Sequence, residues 1–333
     1  GLAWVQTGGP AVTLSNPNSN VTTFLAPSVA TATTLTFAFS AIDNAQQTST
    51  TSTSVTVSPS QLGFAAVAKN RLDVVTVPTG YTVQIGTRLG DPIATGVPAY
   101  ANNGTDTNFA QRIGDHGDAL YWYGLNAAGA RDDFSSTRGL MVQNHENLNQ
   151  QYLHVAGPTS PGGVRPEGEA LKEIEAHGVS VTEYVEGANR VWSYVQGSTF
   201  NRRITPNTPV TFAGPVAGTA WLRTAFSPTG VAGRGTINNC ANGHTLWGTN
   251  LTCEENWAGY FKRATGDNAN RSAREITQLN RYGITQGAAG SYGWATVVPA
   301  DPTNTTFRRW DVTVDTTKPA DGSGDYRYEA NQF

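Results

Sequence analysis

Residues 138–147, RGLMVQNHEN, set the architecture of the larger part of the chain. The apolar run at 139–142 reads as a short strand, centred on 140–142, and stops at the polar triplet Asn144-His145-Glu146. A rigid strand end can aim an amide, an imidazole and a carboxylate into one cleft. The same texture recurs from Phe64 onward, with strands predicted at 81–85, 120–123, 140–142, 179–185, 191–195, 210–212 and 245–251 between Gly-rich turns. Helices are predicted at 167–176, acidic at its start, with a Glu/Lys-rich surface and His177-Gly178 as its stop, and at 270–280. Many short strands with few helices predict an all-β propeller or large sandwich. No repeat of blade length is visible, so pattern alone does not choose the propeller.

The first 58 residues differ. Strands are predicted at 4–6, 12–14, 22–25, 35–40 and 54–57, and Leu35, Phe37 and Phe39 alternate with Thr and Ala. Strands at this spacing with Pro and Asn turns predict an immunoglobulin-like sandwich. Ser58-Pro59-Ser60 marks a linker, so the expected division is 1–58, a linker at 59–63, and 64–333. The chain opens at Gly1 in what already reads as strand and stops at Phe333 without a closing element, which predicts a piece of a longer protein.

Composition narrows the class. Charged residues are 14% of the 333, below the ~25% usual in soluble domains, and Thr, Ser, Asn and Gly fill the gap. That balance suits an exported β-protein. A net charge of -3 with no long basic run gives nucleic-acid binding no electrostatic support. There is no apolar run of ~20 residues to span a membrane. Of the 22 basic residues only Lys69, Lys172, Lys262 and Lys318 are lysines; arginine's planar fork suits phosphate or carboxylate, although a general surface preference accounts for most such residues. Cys240 and Cys253 either pair in an oxidising compartment or leave one as a metal ligand.

Four clusters carry chemistry. Asp115 and Asp118 flank a Gly turn and can offer oxygen ligands, although Asp and Gly are also ordinary turn residues. Asn144-His145-Glu146 ends a strand. Arg202-Arg203 can clamp phosphoryl oxygens or form structural ion pairs. Residues 234–261, RGTINNCANGHTLWGTNLTCEENWAGYF, hold both cysteines and the adjacent Glu254 and Glu255 among Trp247, Trp257, Tyr260 and Phe261. In a strand the two glutamates face opposite ways. A buried carboxylate needs a partner, either a cation or an arginine. Carboxylate-rich sets suit Ca²⁺, Mg²⁺, Mn²⁺ or Fe³⁺ more than Zn²⁺. The sequence has no HExxH, CxxC, G-x-S-x-G or Walker motif.

These landmarks, in this order, resemble the PhoX-type alkaline phosphatases over most of 62–333. They are LGFAAVAKNRLDVVTVPTGYTVQIGTRLGDPI (62–93), IGDHGDALYWYGL (113–125), RGLMVQNHEN (138–147), EAHGVSVTEY (175–184), RRITPNTPVTFAGPVAG (202–218), residues 235–261, RYGI (281–284) and RYEANQF (327–333). At the other end, WVQTGGPAVTLSNP (4–17) and LTFAFSAIDN (35–44) resemble part of a PKD-like or cadherin-like repeat. The resemblance implies a partial immunoglobulin-like sandwich followed by an incomplete β-propeller with short helical insertions. It also implies an exported bacterial phosphatase, secreted, periplasmic or at the cell surface, that hydrolyses phosphate monoesters with iron and calcium (Fe³⁺, Ca²⁺) held by carboxylates and a cysteine.

Carried onto this chain, the resemblance makes Glu146 and Glu254 the foremost metal ligands, followed by Asp118 and Glu255, with Cys240 and Asp115 completing the set. Asn144 would contact the metal site or substrate, and Arg202 or Arg203 the phosphate. Where many relatives end the GP-x-AG segment with His, this chain has Thr219. That departure motivates an alternative: a PhoX-like scaffold with a degraded site in a surface, adhesive or filamentous protein, self-assembling or attached through the immunoglobulin-like repeats.

Overall fold

The computed structural model describes residues 1–60, 63–224 and 226–317. Leu62, at the head of the first landmark, and the RYEANQF run lie outside the described residues. The chain divides into two compact units, Gly1–Val83 and Gln84 onward. Among the described residues no helix is long and apolar enough to cross a membrane.

The first unit is built on an antiparallel sheet ordered β1 (Leu2–Gly8), β2 (Thr33–Ile42), β3 (Thr48–Val57). The expected alternation is visible on β2, where Leu35 and Phe37 are buried. Phe24 packs on Phe37 at 5.1 Å between ring centroids, and Trp4 on Phe39 at 4.7 Å. The segments 12–14 and 22–25 are not strands. Their polar backbone finds other partners: the Val12 amide donates to Gln6 Oε1 (2.9 Å), and the Thr23 amide to Ser15 Oγ (3.1 Å).

The second unit centres on a five-stranded antiparallel sheet. Its path is β4 (Gly117–Gly124), β5 (Arg138–His145), β6 (Gly178–Glu186), β7 (Trp192–Tyr194), with β8 (Arg202–Ile204) pairing β6 further along. Two further antiparallel pairs accompany it: β9 (Pro209–Thr211) with β10 (Ala232–Arg234), and the hairpin of β11 (Asn239–His244) with β12 (Asn250–Glu254). The described strands form these separate sheets, with no closed ring among them.

Two strand expectations shift. Residues 245–251 are mostly the tip between β11 and β12, because Gly248 takes a positive φ of 88° and the Thr245 amide donates to the Thr249 carbonyl (2.9 Å). Residues 81–85 join no sheet.

A short α1 (Gln150–Leu153), capped by the Asn149 side chain, is not anticipated by the sequence reading, and the two predicted helices are present as α2 (Glu167–Glu175) and α3 (Ala273–Arg281). α3 begins at a capping box, Ser272 with Glu275, so its start falls three residues beyond the predicted 270. α2 does not present the predicted Glu/Lys surface. Lys172 and Glu173 are buried, on a helix whose Ala170 and Ile174 pack into the main core with Tyr260, Phe261, Trp294 and Trp310, and Lys172 lies over the Tyr100 and Phe109 rings. Glu173, with no exposed surface, accepts at Oε1 from Arg165, His154 (2.7 Å) and Gln150 (3.0 Å), and at Oε2 from Trp294 Nε1 (2.7 Å). Three donors besides the guanidinium make burial of this charge tolerable.

Behind α2, His177 is fully buried, with Nδ1 against the Glu173 carbonyl (2.8 Å) and Nε2 against Tyr260 Oη (3.0 Å). Burial pushes its pKa down to about 4, and holds His145 well below 6.5, with the Arg203 charge adding to the effect on His145.

Glu173→Gln leaves Arg165 with Glu169 as its remaining carboxylate partner and is expected to lower the unfolding free energy by roughly 1–3 kcal/mol, read as a urea midpoint. Because unfolded histidines protonate near pH 6.5 and His177 only near 4, their contribution is complete above pH 6.5 and is lost as pH falls toward 4. Urea midpoints should therefore drop between pH 7 and 5, with a shallower slope in His177→Gln.

Candidate metal centre

Two β-bulges build the site. Along β4 and β5 the register runs Gly117 to His145 and then Leu120 to Gln143, so Asp118 and Ala119 together oppose Asn144. Along β11 and β12 it runs Asn239 to Glu254 and then Asn242 to Thr252, so Cys240 and Ala241 together oppose Cys253. A bulge turns a side chain out of the regular alternation, and here it does so for an aspartate and a thiol. The hairpin is fastened to the sheet by Asn144, fully buried, whose Nδ2 donates to the Cys240 carbonyl (2.8 Å) and the Ala241 carbonyl (3.1 Å) while its Oδ1 accepts from Thr252 Oγ1 (3.0 Å).

This fastening brings Asp118, Glu146 and Cys240 together: one ligand atom from each lies within 4.8 Å of the others, and all three are partly exposed. Glu255 adjoins them. Its carboxylate takes a hydrogen bond from the Cys240 thiol, as does that of Asp118, and these two bonds and then desolvation push the thiol pKa up to about 12. Among the described residues no ion pair engages Asp118, Glu146 or Glu255. Three carboxylates and a thiol without a basic partner are a donor set that fits a cation.

The other predicted residues lie elsewhere. Glu254 Oε1 accepts from Thr236 Oγ1 (2.6 Å) and the Ile237 amide (3.0 Å), so this carboxylate braces the turn before β11, on the side away from Glu255. Asp115 is engaged by backbone: Oδ1 accepts from the His116 amide (2.8 Å) and Oδ2 from the Asn149 amide (2.8 Å), which folds the loop after Glu146. Gly114 beside it allows this approach, since a Cβ there would stand 2.2 Å from the Ala176 carbonyl.

Arg203 is buried, and its guanidinium donates to the carbonyls of Val179 (3.2 Å), Glu175 (3.1 Å), His177 (2.6 Å) and Arg112, which leaves no fork for phosphate. Arg202 is exposed, donates to the Phe200 carbonyl (3.1 Å) and lines a groove of about 530 Å³ floored by Leu140, Val142 and Val181. Cys240 and Cys253 are both free thiols. Of the aromatics around them, Tyr260 and Phe261 belong to the core, whereas Trp247 is exposed at the hairpin tip.

A second acidic group, His154, Glu169 and Glu173, also lies within 4.8 Å, but Arg165 bridges both of its glutamates and makes it an internal ion network. Sequence reasoning missed the two bulges and Asn238, a buried residue at φ 51° whose amide bonds Glu146 and Tyr260. The Asn238-Asn239 pair was the available signal, since Asn tolerates the left-handed region.

Residues 62–314 match the family model of alkaline phosphatase PhoX, and residues 2–57 match that of a PKD domain. The chain belongs to the PhoX alkaline phosphatase family. A solved structure of Pseudomonas fluorescens PhoX in complex with vanadate, a transition state analogue, is similar at 30% identity and a TM-score of 0.61, covering 75% of this chain. The chain spans 41% of that protein. No curated protein matches.

The geometry separates the adjacent glutamates. Glu255→Gln is expected to weaken binding of a divalent cation such as Co²⁺ by about tenfold or more. Glu254→Gln should lower the unfolding midpoint and leave that affinity close to wild type. Calorimetric titration alongside thermal unfolding of both variants checks the contrast.

Proposed function

We infer that this chain supplies the cation-holding part of an exported, metal-dependent phosphatase acting on phosphate monoesters. The observation that carries the reading is the meeting of Asp118, Glu146 and Cys240 in a chain of the PhoX family. A phosphate monoester is a dianion that repels an oxygen nucleophile. Bound cations neutralise the ester oxygens, orient in-line attack and lower the pKa of a coordinated water.

The residues present fit such ions. Asp118, Glu146 and Glu255 are hard oxygen donors suited to Ca²⁺, and the Cys240 thiol adds the softer ligand that Fe³⁺ accepts. Asp118 and Glu255 compete for the thiol proton in the cation-free site, so metal binding releases that proton. Asn144 acts from behind, holding the backbone of Cys240 rather than meeting substrate. The PKD-like unit would serve as a spacer on an enzyme acting outside the cytoplasm.

Vanadate occupies the Pseudomonas fluorescens relative as a transition-state analogue. The full-length protein should therefore hydrolyse p-nitrophenyl phosphate, lose that activity to a chelator, and be inhibited competitively by vanadate. Asp118→Asn and Glu146→Gln should each lower kcat/KM by about a hundredfold or more. Hydrolysis that survives exhaustive chelation and both substitutions would overturn the reading.

A further inference from the structure

Asn238 stands directly before β11, two residues ahead of Cys240, and is 2% exposed. Its φ of 51° places it in the left-handed region, where Asn is among the few tolerated residues other than Gly. Its side chain is fully engaged with two other segments, the loop after β5 and residues 256–260. Nδ2 donates to the Glu146 carbonyl (3.1 Å) and to Tyr260 Oη (3.0 Å), and Oδ1 accepts from the Asn256 amide (2.6 Å). Its own carbonyl accepts from the Glu255 amide (3.0 Å).

Glu146 and Glu255, the two carboxylates carried on loops, are thus both tied by their backbones to one residue at the start of β11, while the Glu146 amide also donates to the His116 carbonyl (3.1 Å). Asp118 needs no such tie, because the β4–β5 ladder holds it.

The amide is oriented from behind. Tyr260 Oη accepts from Asn238 and donates to His177 Nε2, and His177 Nδ1 donates to the Glu173 carbonyl. Each donor in this row meets an acceptor only if Asn238 directs both Nδ2 hydrogens outward, one to Tyr260 and one to Glu146. We propose that Asn238 is the positioning residue of the metal centre, holding Glu146 and Glu255 at the distances from Cys240 that a cation requires. The proposal rests on the metal-centre reading above, and its test separates the two.

The full chain is compared with Asn238→Gly, which keeps the left-handed backbone and removes the side chain, and with Tyr260→Phe, which keeps the aromatic packing and removes the bond that orients the amide. The first readout is Co²⁺ titration, followed by the thiolate-to-cobalt charge-transfer band and controlled by Cys240→Ser. The second, without metal, is the alkylation rate of Cys240 by iodoacetamide relative to exposed Cys253 in the same molecule.

Asn238→Gly is expected to bind Co²⁺ about 10–100-fold more weakly. It should also raise the Cys240/Cys253 alkylation ratio several-fold, as the Glu146 and Asn256 ties that fix the start of β11 are lost and Cys240 becomes more accessible. Tyr260→Phe should move both readouts the same way by less. Wild-type affinity and an unchanged alkylation ratio in both variants overturn the positioning role. A wild-type chain that shows no cobalt–thiolate band overturns the metal-centre reading instead, and the alkylation ratio still decides the role of Asn238.

Discussion

A buried amide has to find every partner inside the protein, and Asn144 does so by fastening two separate pieces of backbone together. No ladder joins β5 to the β11–β12 hairpin. Within β5 the tie is a side chain with no exposed surface, donating to consecutive carbonyls on the hairpin and accepting from Thr252. Both carbonyls belong to the bulge, so the amide also stabilises the irregularity that points Cys240 at Asp118 and Glu146. Loss of any of these bonds leaves an unsatisfied polar group in a dry setting, a cost that a surface hydrogen bond would not carry. The acid–thiol group exists because this docking is specific in register as well as in strength.

The parts of this design that sequence revealed are those governed by short-range rules. Alternation at Leu35 and Phe37 marked the first sheet, and Gly178 after a helical run marked the end of α2. The order of landmarks placed the 138–147 and 235–261 stretches in one family pattern, now matched by the family model. The parts that stayed hidden depend on register. Period-two reasoning places Glu254 and Glu255 on opposite faces, and the structure does separate them, but it cannot say which faces the site. That depends on a one-residue shift opposite Cys253. The same limit applies to Asp118, whose direction follows from the bulge facing Asn144 and not from the Asp-Gly turn chemistry. Helix polarity misled for a related reason. Glu173 looks like a surface residue until His154, Arg165 and Trp294, which come from 19 residues upstream to 121 downstream, converge on it.

The arginine bias has a physical explanation in the fold. Arg112, Arg165, Arg203 and Arg263 are all buried. Arg112 donates to the carbonyls of Thr107, Gly90 and Pro98; Arg203 gathers four carbonyls; Arg263 binds Asp267 and the Ile284 carbonyl. Loops with few ladder bonds leave many carbonyls unpaired, and a fork with five donors satisfies several at once where lysine offers a single point of charge. For these four, a surface or phosphate-binding role is therefore not what demands arginine.

The same engagement bears on the candidate metal centre. These guanidiniums hold backbone or internal acids, and none of them reaches Asp118, Glu146 or Glu255. Three carboxylates converging on a thiol repel one another, and the fold supplies only the thiol proton to ease that repulsion. The Asp118 and Glu255 carboxylates hold the thiol proton in place, pushing its pKa up to about 12. A cation removes the repulsion outright, and its binding free energy then adds to the docking provided by Asn144 and Asn238. Hairpin, strand end and ion would thus form one coupled unit, in which the amides fix the distances and the charge fixes the need.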